Sequence, residues 1–368
     1  MSARSKILVT SATGKTGLQT TLQLLEKGFP VRAFVRRLDR RSERLERAGA
    51  EIFLGNQYSI TDMRVAMTGV KRAYQCAPGA PNGLHFNAIF TAAAYEAGLE
   101  HVVTLSQWLA SADHPSQTTR EAYISDILIS MRQEMTVTTV NVGWFADNYL
   151  SAMESALHLG MFTMPLGDGN VKKNAAPSNE DIASVVVGAL IDPVTHAGKT
   201  YRPTGPELLS PNEIAAAMGR VLGRKVKYQD ISPNMMLKAI KAVSPPNYSV
   251  MLLEALKYYT DEYRRGAFAI NAPTQDVANV GGRTPESFES IARRYLAEHP
   301  ELTPSFAGKL KAIAGFLKIL LTRAPDVKAI EIEKDFVMLK NPKSCLDDAE
   351  WCEHHEPDGL RSIAGKAA

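Results

Sequence analysis

The sequence predicts an α/β protein built on a doubly wound parallel sheet. The first thirty residues read as a short apolar strand, a glycine-containing turn and an amphipathic helix, and strand and helix patterns alternate up to about residue 142. Strands separated by helices form right-handed βαβ units, which give a parallel sheet with helices on both faces. Ligands of such sheets bind beyond the carboxyl ends of the strands.

Residues 6–17 have the sequence KILVTSATGKTG, in which an apolar run is followed by turn residues and the start of a helix. A helix that begins at such a turn directs unpaired N–H groups and the positive end of its dipole toward a bound anion. Gly14 leaves room for a pyrophosphate against the backbone, and Gly17 allows the helix to pack closely on the strand. Ser11 occupies the first position of the G-x-x-G-x-x-G spacing.

Lys15 stands in the first turn of this helix, where the dipole favours anions over cations. A phosphate held between the lysine and the turn would remove the conflict. The alternative is a solvated lysine, which costs little.

The second strand, residues 30–35, ends at Arg36 and Arg37. A protein that prefers NAD usually has an acidic residue here, which binds the ribose 2′-hydroxyl. Guanidinium groups instead match a 2′-phosphate. The sequence therefore predicts NADP(H) in preference to NAD(H), unless both arginines only belong to the solvated face of the basic helix that follows.

The next two strands also end at candidate cofactor residues. After the third strand, residues 51–54, Asn56 either lines the adenine pocket or forms a turn. After the fourth, Ala77 and Pro78, together with Gly79, are expected to lie against the nicotinamide ribose.

In chain order, short motifs lie at residues 10–17, 48–51 with 55–56, 140–148, 198–201, 205–207, 222–226 and 282–288. Together they resemble the NmrA-like family of atypical short-chain dehydrogenases/reductases. The first resembles its T-G-A-T-G-x-x-G turn, the second its G-A-E…G-D segment with Asn for Asp, and the third its R-P-x-x-F-x-x-N segment without the Arg. The remaining motifs resemble its substrate lobe, and the whole similarity covers about residues 5–297.

The resemblance implies an NAD(P)-binding Rossmann domain in residues 1–150, completed by later segments. It also implies a smaller mixed α/β substrate lobe in residues 151–298, with the cleft between the two. Residues 299–368 are a C-terminal extension beyond the resemblance. The cofactor residues expected on this basis are Thr10, Ser11, Thr13, Gly14, Lys15, Thr16, Gly17, Arg36, Arg37, Asn56, Ala77, Pro78, Ser106, Val142 and Gly143.

The catalytic apparatus of the wider superfamily is incomplete in this chain. That superfamily uses Tyr-x-x-x-Lys, in which the lysine lowers the pKa of the tyrosine that transfers the proton. In the helix predicted over 117–131, Tyr123 is followed four residues later by Ile127. Ser106 follows the fifth strand, where the superfamily has its active-site Ser or Thr. We therefore expect Ser106 to orient a substrate oxygen and Tyr123 to donate the proton, the alternative being a turn serine and a structural tyrosine.

Four further residues are candidates for the substrate side of the cleft. His114 lies in the loop between Ser106 and the helix, where it would gate the cleft or relay a proton, although a surface histidine is the more frequent case. Arg120 shares a helix face with Tyr123 and would supply positive charge. The other two candidates are Phe145 and Asn148.

The extension carries an apolar stripe in a helix predicted over 306–323, flanked by lysines and followed by a polar tail. We expect the stripe to pack on the body of the chain or on a second copy as a homodimer; the alternative is a membrane surface. Cys345, Cys352, His354 and His355 do not have a usual zinc spacing, so no metal is predicted.

Composition limits the classes of protein and of partner that the sequence suggests. The 368 residues carry 42 basic and 39 acidic side chains, a net charge of +3 that makes no general case for nucleic acid. Three cysteines are too few for a disulfide framework. No secretory segment and no apolar run near the roughly 18 residues of a transmembrane helix is apparent, so a cytoplasmic protein is expected.

Two functions remain open at this point. The first is an NADPH-dependent reductase of a small apolar carbonyl, quinone or aromatic compound. The second is a non-catalytic, NADP(H)-responsive sensor that regulates a partner. The substrate lobe favours the first, and the missing Tyr-x-x-x-Lys favours the second.

Overall fold

A computed structural model of the chain describes residues 4–78, 82–131, 134–243 and 250–355. Gly79 and residues 356–368 of the expected polar tail lie outside these ranges. The strands within them are β1 (Lys6–Val9), β2 (Val31–Val35), β3 (Glu51–Leu54), β4 (Val70–Gln75), β5 (His101–Gln107), β6 (Thr136–Val142), β7 (Met161–Met164), β8 (Thr200–Tyr201) and β9 (Lys227–Asp230).

The α-helices account for most of the remaining regular structure. Those of the first two thirds of the chain are α1 (Lys15–Glu26), α2 (Arg40–Arg47), α3 (Ile60–Met67), α4 (Gly83–Glu96), α5 (Gln117–Ser130), α6 (Ala146–Leu150), α7 (Met153–Leu159), α8 (Asn179–Ile191), α9 (Pro193–His196), α10 (Pro211–Leu222) and α11 (Pro233–Val243). The others are α12 (Val250–Arg265), α13 (Asp276–Asn279), α14 (Phe288–Glu298), α15 (Phe306–Leu321), α16 (Val327–Glu333) and α17 (Ala349–His355).

The main sheet has the strand order β3-β2-β1-β4-β5-β6-β8, and every pairing in it is parallel. Both faces are covered, because Ile7 and Val9 of β1 pack in the cluster of α1 and α8, whereas Leu8 packs in that of α3 and α4. Each such buried aliphatic side chain contributes about 1.5–3 kcal/mol. The predicted doubly wound fold is confirmed.

The smaller lobe shares its core with the end of the sheet. Strands β7 and β9 form a separate parallel pair. One cluster of buried side chains joins Trp108, which follows β5, to Tyr149, Phe268 and Phe288 of later segments. The same cluster includes Trp351 near the end of the chain, so the lobe packs directly against the sheet.

The expectation of a polar surface tail is wrong for residues 345–351. Cys345 is fully buried and Trp351 is 2% exposed. The Trp351 indole Nε1 donates to the Trp108 carbonyl at 3.0 Å, and the backbone N–H of Cys345 donates to Glu262 Oε1 at 3.0 Å. Sequence spacing did not indicate this docking, because its partners are about 240 and 80 residues away in the chain.

Helix α15 differs from the expectation in a different way. It begins and ends close to the predicted bounds, but none of its residues is buried. Its apolar side chains are exposed, among them Phe306 at 77% and Leu317 at 53%. Packing of the stripe on the body of this chain is therefore wrong. Within the described ranges, no helix has the length and apolar content needed to cross a bilayer.

Candidate functional site

The glycine turn between β1 and α1 is the centre of the candidate cofactor site. Ser11 adopts a left-handed conformation, with φ of +47°, and this residue reverses the chain. A Cβ added at Gly17 would lie 2.3 Å from the carbonyl oxygen of Ser11, and one at Gly14 would lie 3.0 Å from the same atom. Only glycine at position 17 allows the helix to approach the turn this closely.

The N-terminus of α1 is open to a ligand. Its N-cap residue is Gly14, and no side chain of the described residues caps its first turn. The neighbouring helix α2, in contrast, is capped by the Asp39 carboxylate. Uncapped first-turn N–H groups at the carboxyl end of β1 suit a pyrophosphate, so the residues present fit a dinucleotide.

Three hydroxyl side chains of the turn and the start of α1 bind the end of β4. Thr10 Oγ1 accepts the N–H of Cys76 at 2.8 Å, and Ser11 Oγ donates to the Cys76 carbonyl at 2.9 Å. Thr16 Oγ1 accepts the Tyr74 hydroxyl at 3.0 Å. These bonds tie the turn to the end of β4, while Thr13 is only partly buried and remains available to a ligand.

Lys15 forms an ion pair within the protein, so it is not simply a solvated lysine. Its Nζ lies 2.9 Å from Asp147 Oδ2, and the lysine side chain is 63% exposed. Asp147 belongs to α6 and also accepts from the Asn179 amide at 3.0 Å. A phosphate at the turn would therefore compete with, or bridge to, this ion pair.

The expected adenosine end of the candidate site lies at the carboxyl ends of β2 and β3. Arg36 and Arg37 are both exposed, and Arg37 is 3.7 Å from Asp39. Asn56 Oδ1 accepts the N–H of Tyr58 at 3.0 Å, which is the turn contact considered in the sequence.

At the expected nicotinamide end, a cavity of about 190 Å³ lies between α4 and α5. Its wall includes Ala77 and Pro78 after β4, Ser106 at the end of β5, and Asp126 of α5. The Ser106 hydroxyl donates to Asp126 Oδ2. Burial raises the pKa of Asp126 from 3.8 to about 7, although the Ser106 hydrogen bond opposes this shift. A carboxyl group poised near neutrality beside a hydroxyl is suited to proton transfer.

Tyr123 lies on another side of α5. Its hydroxyl donates to Glu350 of α17 at 2.9 Å, and this contact raises the pKa of Tyr123. Tyr123 lines a second cavity of about 900 Å³, which the tail residues Asp348, Glu350 and Trp351 partly close. Ser106 does not belong to the described lining of that larger cavity, so the expected Ser106–Tyr123 pair is not brought together. Asp126 borders both cavities.

His114 is fully buried, which corrects the expectation of a surface histidine. Its Nδ1 accepts the N–H of Ser116 at 3.0 Å, and its Nε2 is 3.3 Å from Glu262 Oε1. Arg120 donates to the His114 carbonyl at 2.6 Å and to the carbonyl of Val337. Both side chains therefore hold the loop before α5 to α12 and to the extension.

The other expected cleft residues follow β6. Val142 is 6% exposed, and its carbonyl accepts the N–H of Trp108 at 2.8 Å. Gly143 faces the Phe268 ring, since a Cβ there would lie 3.2 Å from it. Phe145 packs partly buried beside the cluster of α1 and α8, and Asn148 is half-buried on α6, the helix that carries the partner of Lys15.

One group of metal-ligand atoms lies within the described residues: His114, Glu262 and Cys345 place theirs within 4.8 Å of one another. A metal bound at Nε2 of His114 would need the other ring nitrogen to carry the proton. That nitrogen instead accepts the Ser116 N–H. The contacts of the ring therefore do not fit a metal at Nε2, and that atom, 3.3 Å from Glu262 Oε1, has no hydrogen-bond partner among the described residues.

Asp126 is the functional candidate that sequence reasoning missed. Its spacing from Ser106 across β5 and α5 carries no motif. The sequence contains only a weak signal for Asp126. It is an acidic residue three positions after Tyr123, in a helix that is expected to pack on the sheet.

The strand order and the uncapped glycine turn define a dinucleotide-binding α/β protein. Residues 3–280 match the model of the NmrA-like family, which is three quarters of the chain. The protein belongs to the NmrA-like family.

Several individual proteins are similar to this chain over most of its length. The NAD(P)H azoreductase of Xenophilus azovorans is 29% identical over 293 residues, which is 79% of this chain and 98% of the relative. The structure of the NADPH-dependent quinone oxidoreductase QOR2 of Escherichia coli complexed with NADPH matches with a TM-score of 0.67 at 21% identity, covering 79% of this chain and 99% of that one. NmrA, a negative transcriptional regulator in complex with NADP, matches with a TM-score of 0.65 at 17% identity, covering 81% and 97%.

Proposed function

We propose that the protein is an NADPH-dependent reductase whose acceptor binds in the 190 Å³ cavity beside Ser106 and Asp126. The observation that carries the proposal is the Ser106–Asp126 hydrogen bond at the carboxyl end of β5. It puts a polar, proton-holding pair next to the position expected for the nicotinamide. The azoreductase and quinone oxidoreductase among the relatives support a small aromatic or quinone acceptor.

The bound cofactor would supply the hydride, and the chain's own residues would supply binding, orientation and one proton. The turn at Gly14 and Gly17 would hold the pyrophosphate. Hydride addition to a carbonyl or quinone leaves an oxyanion on the acceptor. The Ser106 hydroxyl would donate to this oxygen and recover its proton from neutral Asp126, so that one hydride and one proton are consumed in each turnover.

A screen of NADPH oxidation against quinones, azo dyes and aldehydes tests the proposal. Turnover that falls in a Ser106→Ala variant supports it. Tight NADPH binding without turnover on every acceptor would contradict it.

The arginines after β2 should set the cofactor preference. An Arg36→Ala/Arg37→Ala double variant is expected to bind NADPH more weakly by roughly 1–3 kcal/mol, because charge-assisted contacts to the 2′-phosphate are lost. Its NADH affinity should change little. Calorimetry at low salt measures both constants.

Arg47→Ala is the matched control for this pair. Arg47 lies at the other end of α2 and is 3.6 Å from Glu43. The Arg47→Ala variant should retain the preference for NADPH over NADH. Equal NADPH and NADH affinities in the unaltered protein would show that Arg36 and Arg37 do not read the phosphate.

Tyr123→Phe should lower kcat less than threefold, since its hydroxyl binds Glu350 outside the smaller cavity. Steady-state kinetics with the best acceptor from the screen measures the change. Near-complete loss of turnover, with NADPH binding retained, would return Tyr123 to the role of proton donor.

The sensor remains a second candidate, supported by a specific observation. The protein has no Tyr-x-x-x-Lys pair in α5, and its Tyr123 hydroxyl contacts the extension instead. A fold neighbour is a negative transcriptional regulator in complex with NADP. If the acceptor screen gives no turnover, a change in proteolysis of the extension on adding NADPH would favour this function.

A further inference from the structure

Helix α15 presents its apolar stripe to solvent. Phe306 is 77% exposed, Leu317 53% and Leu321 88%, and Leu310, Ile313, Phe316 and Leu320 are each at least 39% exposed. Contiguous apolar surface of this kind normally marks an interaction site. The sequence alone could not tell which side of the helix faces outward.

The side of α15 that faces the body consists mainly of small residues. Only Gly308, Ala312 and Ile319 of the helix are even half-buried. Gly308 approaches His158 so closely that a Cβ there would lie 2.3 Å from the imidazole ring. At about 100° per residue, these three positions share one side of the helix, and Phe306, Ile313 and Leu317 occupy the opposite side.

The charged side chains of the segment that carries the stripe are all positive. Residues 302–325 contain no Asp or Glu. Lys309, Lys318 and Arg323 form no ion pair with any described residue, whereas Lys311 is 3.2 Å from Glu154 of α7. Lys241 of α11 adds a further cation nearby, because its Nζ lies 3.4 Å from the Arg323 carbonyl.

We propose that α15 is a peripheral anchor that binds the surface of an anionic lipid bilayer. Its outward Leu, Ile and Phe side chains would enter the headgroup and acyl boundary, and the flanking lysines would remain with the lipid phosphates. A helix of 16 residues is about 24 Å long, which suits a position parallel to the surface. The proposal is independent of the proposed reductase activity.

Charge favours a bilayer over a second copy of the chain. A symmetric dimer through this helix would bring two cationic stripes together, with no acidic residue in 302–325 to offset them. Like charges in such an interface oppose association. An anionic surface, in contrast, attracts each lysine near it.

The test is co-sedimentation of the full chain with phosphatidylcholine vesicles that contain phosphatidylglycerol. We expect binding to these vesicles, with at least about tenfold weaker binding to vesicles of phosphatidylcholine alone. Leu317→Glu should weaken binding to the anionic vesicles at least about tenfold, because it puts a charge at the centre of the apolar side. Lys309→Gln/Lys318→Gln/Arg323→Gln should reduce both the binding and its salt dependence.

Val194→Glu is the matched control. Val194 is an apolar residue of α9 that is 90% exposed, so the same charge is added away from α15, and lipid binding should be retained. Unchanged NADPH binding in Leu317→Glu shows that the variant is folded.

Two results would overturn the proposal. One is failure of the unaltered protein to bind anionic vesicles at low salt. The other is a sedimentation mass of two chains that Leu317→Glu reduces to one, with no lipid binding by either form. That outcome would show that the stripe packs against a second copy of the chain.

Discussion

Gly17→Ala is expected to weaken NADPH binding by at least about 100-fold. The added Cβ would lie 2.3 Å from the Ser11 carbonyl oxygen, 3.0 Å from the Ser11 carbonyl carbon and 3.1 Å from Ala12 Cα. All three atoms belong to the main chain, so no side-chain rotation relieves the overlap. The N-terminus of α1 must move away from the turn, and a displacement of about 1 Å at a binding site can cost that much. Fluorescence titration measures the loss.

Gly315→Ala is the control for the glycine substitution itself. Gly315 lies within α15 and has no atom within 4 Å of an added Cβ. Alanine there should leave NADPH binding unchanged and stabilise the helix by about 0.5–1 kcal/mol. Wild-type NADPH affinity in Gly17→Ala would contradict the geometry proposed for the pyrophosphate site.

Asp126→Asn is expected to lower kcat by about 100-fold or more, because the amide cannot release a proton to Ser106. The same substitution should raise the free energy of unfolding. Burial raises the pKa of Asp126 to about 7, whereas the unfolded chain ionises this group near pH 4. Between these values unfolding releases a proton, so the free energy of unfolding falls as the pH rises.

Asparagine has no carboxyl group to ionise, so the variant lacks this fall in the free energy of unfolding with rising pH. The variant should match the unaltered protein near pH 4 and exceed its stability at pH 8 by on the order of a few kcal/mol. Urea unfolding at several pH values measures the difference. Asp335→Asn is the control, since Asp335 is exposed with a left-handed φ of +52° that asparagine also accepts.

Unchanged kcat in Asp126→Asn would remove the carboxyl from the proposed proton path. A stability difference that does not vary with pH would show that its pKa is ordinary. Activity loss combined with a gain in stability at high pH separates a functional role from simple disruption of the fold.

Much of the fold was predictable because local patterns determine it. β6 has the predicted bounds of 136–142, and β2 begins one residue after its predicted start. β2 is mostly apolar and β6 is rich in the β-branched residues Val and Thr, so composition and length were sufficient to predict both strands. The glycine turn was recognisable for the same reason, since its geometry depends on adjacent residues.

The contacts around the expected nicotinamide end were less predictable. Tyr123 bonds to a residue 227 positions later, and His114 is buried beside Glu262 of α12. Such pairings depend on how the lobe and the extension pack, which periodicity does not encode. Asp126 is separated from Ser106 by 20 residues, and only the packing of α5 on β5 brings them together.

The contact between Trp351 and Trp108 has a consequence for the order in which the chain folds during synthesis. The Trp351 indole binds the Trp108 carbonyl across 243 residues, and both side chains belong to one buried cluster. Strands β1 to β6 can pair once residue 142 has left the ribosome, but this cluster cannot be completed until α17 has been synthesised. The apolar surface around Trp108 is exposed throughout that interval, which makes the nascent lobe a site for chaperone binding or aggregation.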